Sequence, residues 1–75
     1  MTLYDAKCKR KYLIKKITEE EGTERRLQSL GLTENSAVEL IRRNFGGAAI
    51  VKFRGTRFAL GKEICKGIEL WGDLN

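Results

Sequence analysis

The side chains that most often run chemistry are scarce in this sequence of 75 residues, which has no histidine and only two cysteines. A nucleophilic serine or cysteine normally works with an adjacent base, most often histidine. Most hydrolase chemistry is therefore excluded. Cys8 and Cys65 are far apart and have no neighbouring Cys or His, so a closed zinc site within one chain is unsupported. They read as two free thiols rather than a disulfide, with Cys65 a small core residue. Glu19, Glu20 and Glu21 with Glu24 could be imagined around a hard cation, but acidic residues are also what a helix dipole attracts ahead of a helix, and that reading is preferred. Metal ligands are left unassigned and no cofactor is expected. The stretch from Gly55 to Lys62 looks like a phosphate loop, yet five residues separate Gly55 from Gly61 and Glu63 follows the lysine. The phosphate loop needs four residues and a Ser or Thr, so nucleotide binding is discarded.

What the chain has in quantity is positive charge. Fifteen Lys and Arg against ten Asp and Glu give a net charge of +5, which favours anionic partners such as nucleic acid, a membrane surface or an acidic protein patch. The excess lies at Lys7, Lys9, Arg10, Lys11, Lys15 and Lys16, and in the pairs Arg25/Arg26 and Arg42/Arg43. Each place is either a contact surface or a solvated face that keeps a small domain soluble. Phe45 lies between Arg42/Arg43 and two glycines. It is placed to insert into a partner or stack on a base, or else to fold over the open end of a barrel as a lid.

The elements that must position these residues are short. Tyr12 to Ile17 reads as a first strand with Tyr12, Ile14 and Ile17 in the core. A helix is expected from an N-cap at Thr23 through Leu30, with Leu27 and Leu30 on the buried face. It should stop at Gly31 in the left-handed conformation, with Leu32 packing back on Leu27. Ala37 to Arg43 alternates as a second strand with Val38 and Leu40 inward. Asn44 to Gly47 is a turn by composition. A third strand follows from Ala49 to Arg54 with Val51 and Phe53 on one face, then a Gly55-Thr56 connection and a fourth strand from Arg57 to Leu60. A helical turn from Lys62 to Lys66 and a last strand from Ile68 to Trp71 complete the chain.

Five short strands, one short α-helix and a helical turn before the last strand point to a mainly β fold, a small partly open β-barrel. Composition agrees: 41% hydrophobic residues and no proline suit one compact soluble domain over residues 1–75, with a core of about 11–71. No apolar run approaches the roughly 18 residues of a membrane span. The basic start from Met1 to Lys16 has no apolar stretch to act as a secretory signal, so a cytoplasmic location is expected.

The order of these residues is also distinctive. Tyr12-x-Ile14-x-x-Ile17, Arg25-Arg26-Leu27-x-x-Leu30-Gly31-Leu32, Ser36-x-Val38-x-Leu40, Val51-x-Phe53-x-Gly55-x-Arg57-Phe58-Ala59-Leu60 and Ile64-x-x-x-Ile68-x-Leu70 together resemble the FeoA family of bacterial ferrous iron transport. The resemblance implies an SH3-like barrel and a role beside FeoB, a membrane transporter with a cytosolic GTPase domain. Asn35-Ser36 stands where the family often has Pro-Gly, and Gly46-Gly47-Ala48 where it often has Gly-Asp-Pro. These departures fall in turns and bear on loop shape and partner detail. Metal binding is commonly associated with the family, but this sequence offers carboxylates and two separated thiols. A similar domain ends repressors of the diphtheria-toxin-repressor type, whose DNA-binding domain is not found here. The resulting expectation is a non-enzymatic accessory protein that binds the cytosolic part of an FeoB-type transporter through Arg25, Arg26, Phe45, Arg42 and Arg43 and modulates its assembly or GTPase cycle. The alternative is a basic SH3-like module that binds nucleic acid.

Overall fold

Alternation of apolar and charged residues builds the sheet, because successive side chains of a strand point to opposite faces. In β1 (Arg10–Ile17), Tyr12 and Ile14 are buried while Lys11, Lys15 and Lys16 are exposed. In β2 (Ala37–Arg43), Val38 and Leu40 are buried, and in β3 (Ala49–Phe53) Ala49, Val51 and Phe53 are. β4 (Thr56–Leu60) and β5 (Ile68–Asp73) complete an all-antiparallel sheet in the order β4-β3-β2-β1-β5. The edges β4 and β5 are not hydrogen-bonded to each other among the described residues, so the barrel stays open. This computed structural model describes residues 1–73, and the side chains of Phe45 and Asp73 lie outside the described residues.

The single long helix, α1, spans Glu21–Ser29. Its N-cap is Glu20, three residues before the expected Thr23, and the Glu24 N–H donates to the Glu20 carbonyl at 2.9 Å. Gly22 in a first turn costs about 1 kcal/mol relative to alanine, but Glu21 and Glu24 there favour the helix dipole. The stop is as expected. Gly31 has φ +91°, its N–H donates to Gln28 O at 2.9 Å, and the Leu32 N–H donates to Leu27 O at 2.9 Å, the paired bonds of a Schellman motif. One side chain is corrected: Leu30 is 41% exposed, while Leu27 and Leu32 are buried. The left-handed residue turns the chain back beneath the helix, so Leu32 fills the place beside Leu27 that helical spacing alone assigns to Leu30.

The hairpin between β3 and β4 also shifts by one residue from expectation. Arg54 and Gly55 have φ +52° and +80°, the pair of left-handed residues of a type I′ turn, and Phe53 pairs with Thr56. After β4, α2 (Lys62–Gly67) buries Cys65 and leads into β5.

The core extends further toward the N-terminus than the expected 11–71, while Lys7, Lys9 and Lys11 stay exposed. A 3-10 turn over Leu3–Asp5 buries Leu3, and Ala6 is buried beside it. The Leu70 N–H donates to Met1 O at 2.8 Å and Thr2 bridges Glu69, so this segment covers part of the β5 edge. Covering an edge removes a template for unwanted strand pairing.

Candidate partner-binding surface

The five residues singled out from the sequence divide over two ends of the barrel. Arg25 and Arg26 are exposed on α1, whose buried Leu27 fixes the helix against the core. Arg25 pairs with Glu21 one turn earlier, with both side chains more than 70% exposed. Such a pair is screened by water and contributes little to stability. The C-terminal end of α1 abuts β3 at Phe53, where a Cβ on Gly31 would lie 2.9 Å from the Phe53 ring.

Arg42 and Arg43 stand at the Ala49 end of β3. Strict alternation from Val38 and Leu40 would carry Arg42 inward. A bulge intervenes: Leu40 pairs with Val51, and Arg42 already pairs with the next residue, Ile50. An extra residue in one strand reverses which face the following side chains take. Arg42 is therefore exposed, and Arg43 lies opposite buried Ala49. The Arg43 Nη2 donates to Leu3 O at 2.8 Å and Ala6 O at 3.0 Å, and Nη1 to Gly47 O at 3.5 Å. Its guanidinium also sits 5.6 Å from the Tyr4 ring centre, within cation–π range. Arg43 thus ties the N-terminal turn to the sheet. The backbone of Phe45 opens a 3-10 turn over Phe45–Gly47, and its side chain is outside the described residues.

Two ionisable groups are perturbed. Burial, then the charges of Glu20 and Glu63, raise the Glu19 carboxyl above its ordinary value. Its Oε1 is buried without a hydrogen-bond partner among the described residues. It lies against Gly67, where a Cβ would collide with Glu19 Oε1 and the Thr18 carbonyl, so glycine permits the close approach. Burial also raises the Cys65 thiol, and its Sγ donates to Leu60 O at 3.5 Å. A protonated, enclosed thiol is unreactive. No three His, Cys, Asp or Glu side chains of the described residues come together as a metal site.

One basic feature was not singled out in the sequence. Lys11, Lys52 and Arg54 line a cleft of about 300 Å³ together with Ala37, Val38, Glu39 and Gly55. The signal was present in Lys52 and Arg54, two cations at strand spacing, but no local motif draws attention to it.

The fold and the sequence pattern can now be set beside known proteins. The FeoA domain family matches residues 1–70. The chain belongs to the FeoA family. The FeoA protein of Chlorobium tepidum has a similar solution structure, with a TM-score of 0.90 and 22% identity over 100% of this chain and 71% of that one. The zinc-complexed FeoA of Stenotrophomonas maltophilia is similar with a TM-score of 0.80 and 23% identity, covering 93% of this chain and 88% of that chain. That protein is described as an SH3 domain protein and a candidate activating factor for ferrous iron transport. A manganese-dependent transcriptional repressor carries a similar fold within a longer chain, at a TM-score of 0.81 and 18% identity, covering 91% of this chain and 39% of that chain. Nothing among the curated proteins matches. The chain shares the SH3-like fold of these FeoA proteins, and no helix among its described residues is long and apolar enough to cross a membrane.

Proposed function

We propose that this FeoA-family chain is a cytoplasmic, non-enzymatic accessory protein that docks on the cytosolic part of an FeoB-type transporter and changes its assembly or GTPase cycle. The observation that carries this reading is the display of Arg25 and Arg26 on the solvent side of α1, beside little that would hold them for stability alone. Guanidinium groups make strong, geometry-sensitive contacts to carboxylates. On this view Arg42 and Phe45 make a second contact at the other end of the barrel, where Arg43 fixes the N-terminal turn. In this reading the iron passes through the transporter, and the barrel acts by contact.

Titrating the purified chain into the transporter's cytosolic domain tests the proposal, with GTP turnover followed in the same samples. Saturable association that weakens on Arg25→Glu and changes turnover supports it. Equal association by Arg25→Glu and Arg26→Glu moves the interface elsewhere, and preferential binding to nucleic acid with a steep loss on adding salt would favour the other reading of the charge.

A further inference from the structure

The sheet register assembles a second basic surface, on the outward face of β1 to β4. Arg57 pairs with Lys52, Lys52 with Glu39, and Glu39 with Lys11. Directly opposed residues share a face, and these alternate with buried Val51, Phe53 and Val38. The four therefore form one row across four strands, about 14 Å long at the usual strand spacing. Arg54 lines the cleft at the hairpin end of the row, with its guanidinium turned over the Phe53 ring, 5.0 Å from the centre. Lys11, Lys52, Arg54 and Arg57 are all exposed, with Glu39 as the carboxylate in the row. Lys11, Glu39, Lys52 and Arg54 line the cleft of about 300 Å³ together with Ala37, Val38 and Gly55, with Arg57 next to Lys52 in the row.

One contact in the row works against stability, although Glu39 faces Lys52 and Lys11 favourably. Lys52 and Arg57 are like charges directly opposed across a pair of strands, which is destabilising. Departures from local consistency tend to mark functional places. We infer that this row is a docking site for a short acidic peptide segment of a partner protein, whose carboxylates reach Lys11, Lys52, Arg54 and Arg57 around the cleft. A nucleic-acid strand fits less well. The outward neighbours Leu13, Ala37 and Ala59 offer no ring for a base to stack on. The exposed ring of Trp71, on β5, already has the Lys15 Nζ 4.9 Å from its centre. This inference does not rest on the transporter reading, because it concerns the sheet face and not α1.

The test uses the full chain at low salt and a fluorescein-labelled hexaglutamate peptide, with backbone amide shifts followed by NMR. Saturable binding is expected, with shifts gathered at Lys11, Glu39, Lys52 and Gly55. Lys52→Glu and Arg54→Glu should each weaken it at least about fivefold, the loss of a close charge pair. Arg57→Glu should weaken binding while melting no lower than the parent, since it turns a repulsive pair into an attractive one. Lys66→Glu, an equal change of net charge on α2, should leave binding within about twofold. Absence of saturable shifts on this face, or equal weakening by Lys66→Glu, overturns the site. Tighter binding of oligothymidylate, or the same shifts from inorganic phosphate at the same concentration, overturns the assignment to a peptide.

Discussion

Arg25–Arg26 and Arg42–Arg43 are the same dipeptide carried on two backbones. On α1 neighbouring residues are about 100° apart, so one solvent face holds both arginines, and both are exposed. On β2 neighbours point to opposite faces, so the second pair is split: Arg42 is exposed and Arg43 donates to the carbonyls of Leu3, Ala6 and Gly47. Charge in sequence thus has no fixed meaning. Period decides whether it is displayed or absorbed, and on β2 a single bulge decides which arginine suffers which fate.

The comparison breaks most visibly at the residue beneath the displayed pair. Leu27 is 2% exposed, and Leu27→Ala is expected to cost about 2–4 kcal/mol from lost burial and the cavity left behind. A urea midpoint unchanged from the parent would mean that α1 displays its arginines without being held by the core. Next comes the absorbed arginine. Arg43→Ala removes a donor from three part-buried carbonyls, of which Leu3 keeps the Ala6 N–H at 3.3 Å; the loss is expected to cost about 1–3 kcal/mol, and amide exchange should rise first at Asp5 and Ala6. Arg43→Lys keeps the charge but replaces the planar fork with a single nitrogen that cannot span the same carbonyls in the same geometry, and is expected to fall between. The displayed pair should then behave oppositely: Arg25→Glu or Arg26→Glu is expected to shift stability by no more than about 0.5 kcal/mol.

The smallest effect concerns pH. The folded Glu19 carboxyl is raised by burial and by Glu20 and Glu63, so the folded state binds its proton more tightly than the unfolded chain does. Its favourable contribution is present below the unfolded value and is lost as pH rises through the folded one. Glu19→Gln should therefore melt higher than the parent at neutral pH, with the difference shrinking as the solution is acidified. A difference independent of pH would assign the gain to packing rather than charge.

Much of this architecture was legible residue by residue. β2 has the bounds that alternation indicates, and Gly31 followed by Leu32 marks the helix stop because the left-handed conformation leaves few other choices. Legibility ended where distant segments meet. The N-terminal turn that buries Leu3 is tied down by Arg43, which donates to the Leu3 carbonyl from 40 positions away, and nothing near Leu3 in sequence announces it. The cationic row is similar: Lys11, Lys52 and Arg57 come from three strands, and only the register places them side by side. The candidate site was accordingly half visible. Helical spacing around Leu27 requires at least one of Arg25 and Arg26 to face outward, and both do, whereas which of Arg42 and Arg43 faces outward is set by a bulge that strand alternation does not encode.

The account rests on the displayed arginines as a contact surface for an FeoB-type transporter. Its most direct test is the affinity of the parent chain and of an Arg25→Glu/Arg26→Glu double variant for the transporter's cytosolic domain, with thermal stability measured on both. The expected result is saturable binding by the parent and a loss of at least about tenfold in the variant, equivalent to about 1.4 kcal/mol, at an unchanged melting temperature. Equal affinity of the two proteins, or no association by the folded parent, would contradict it.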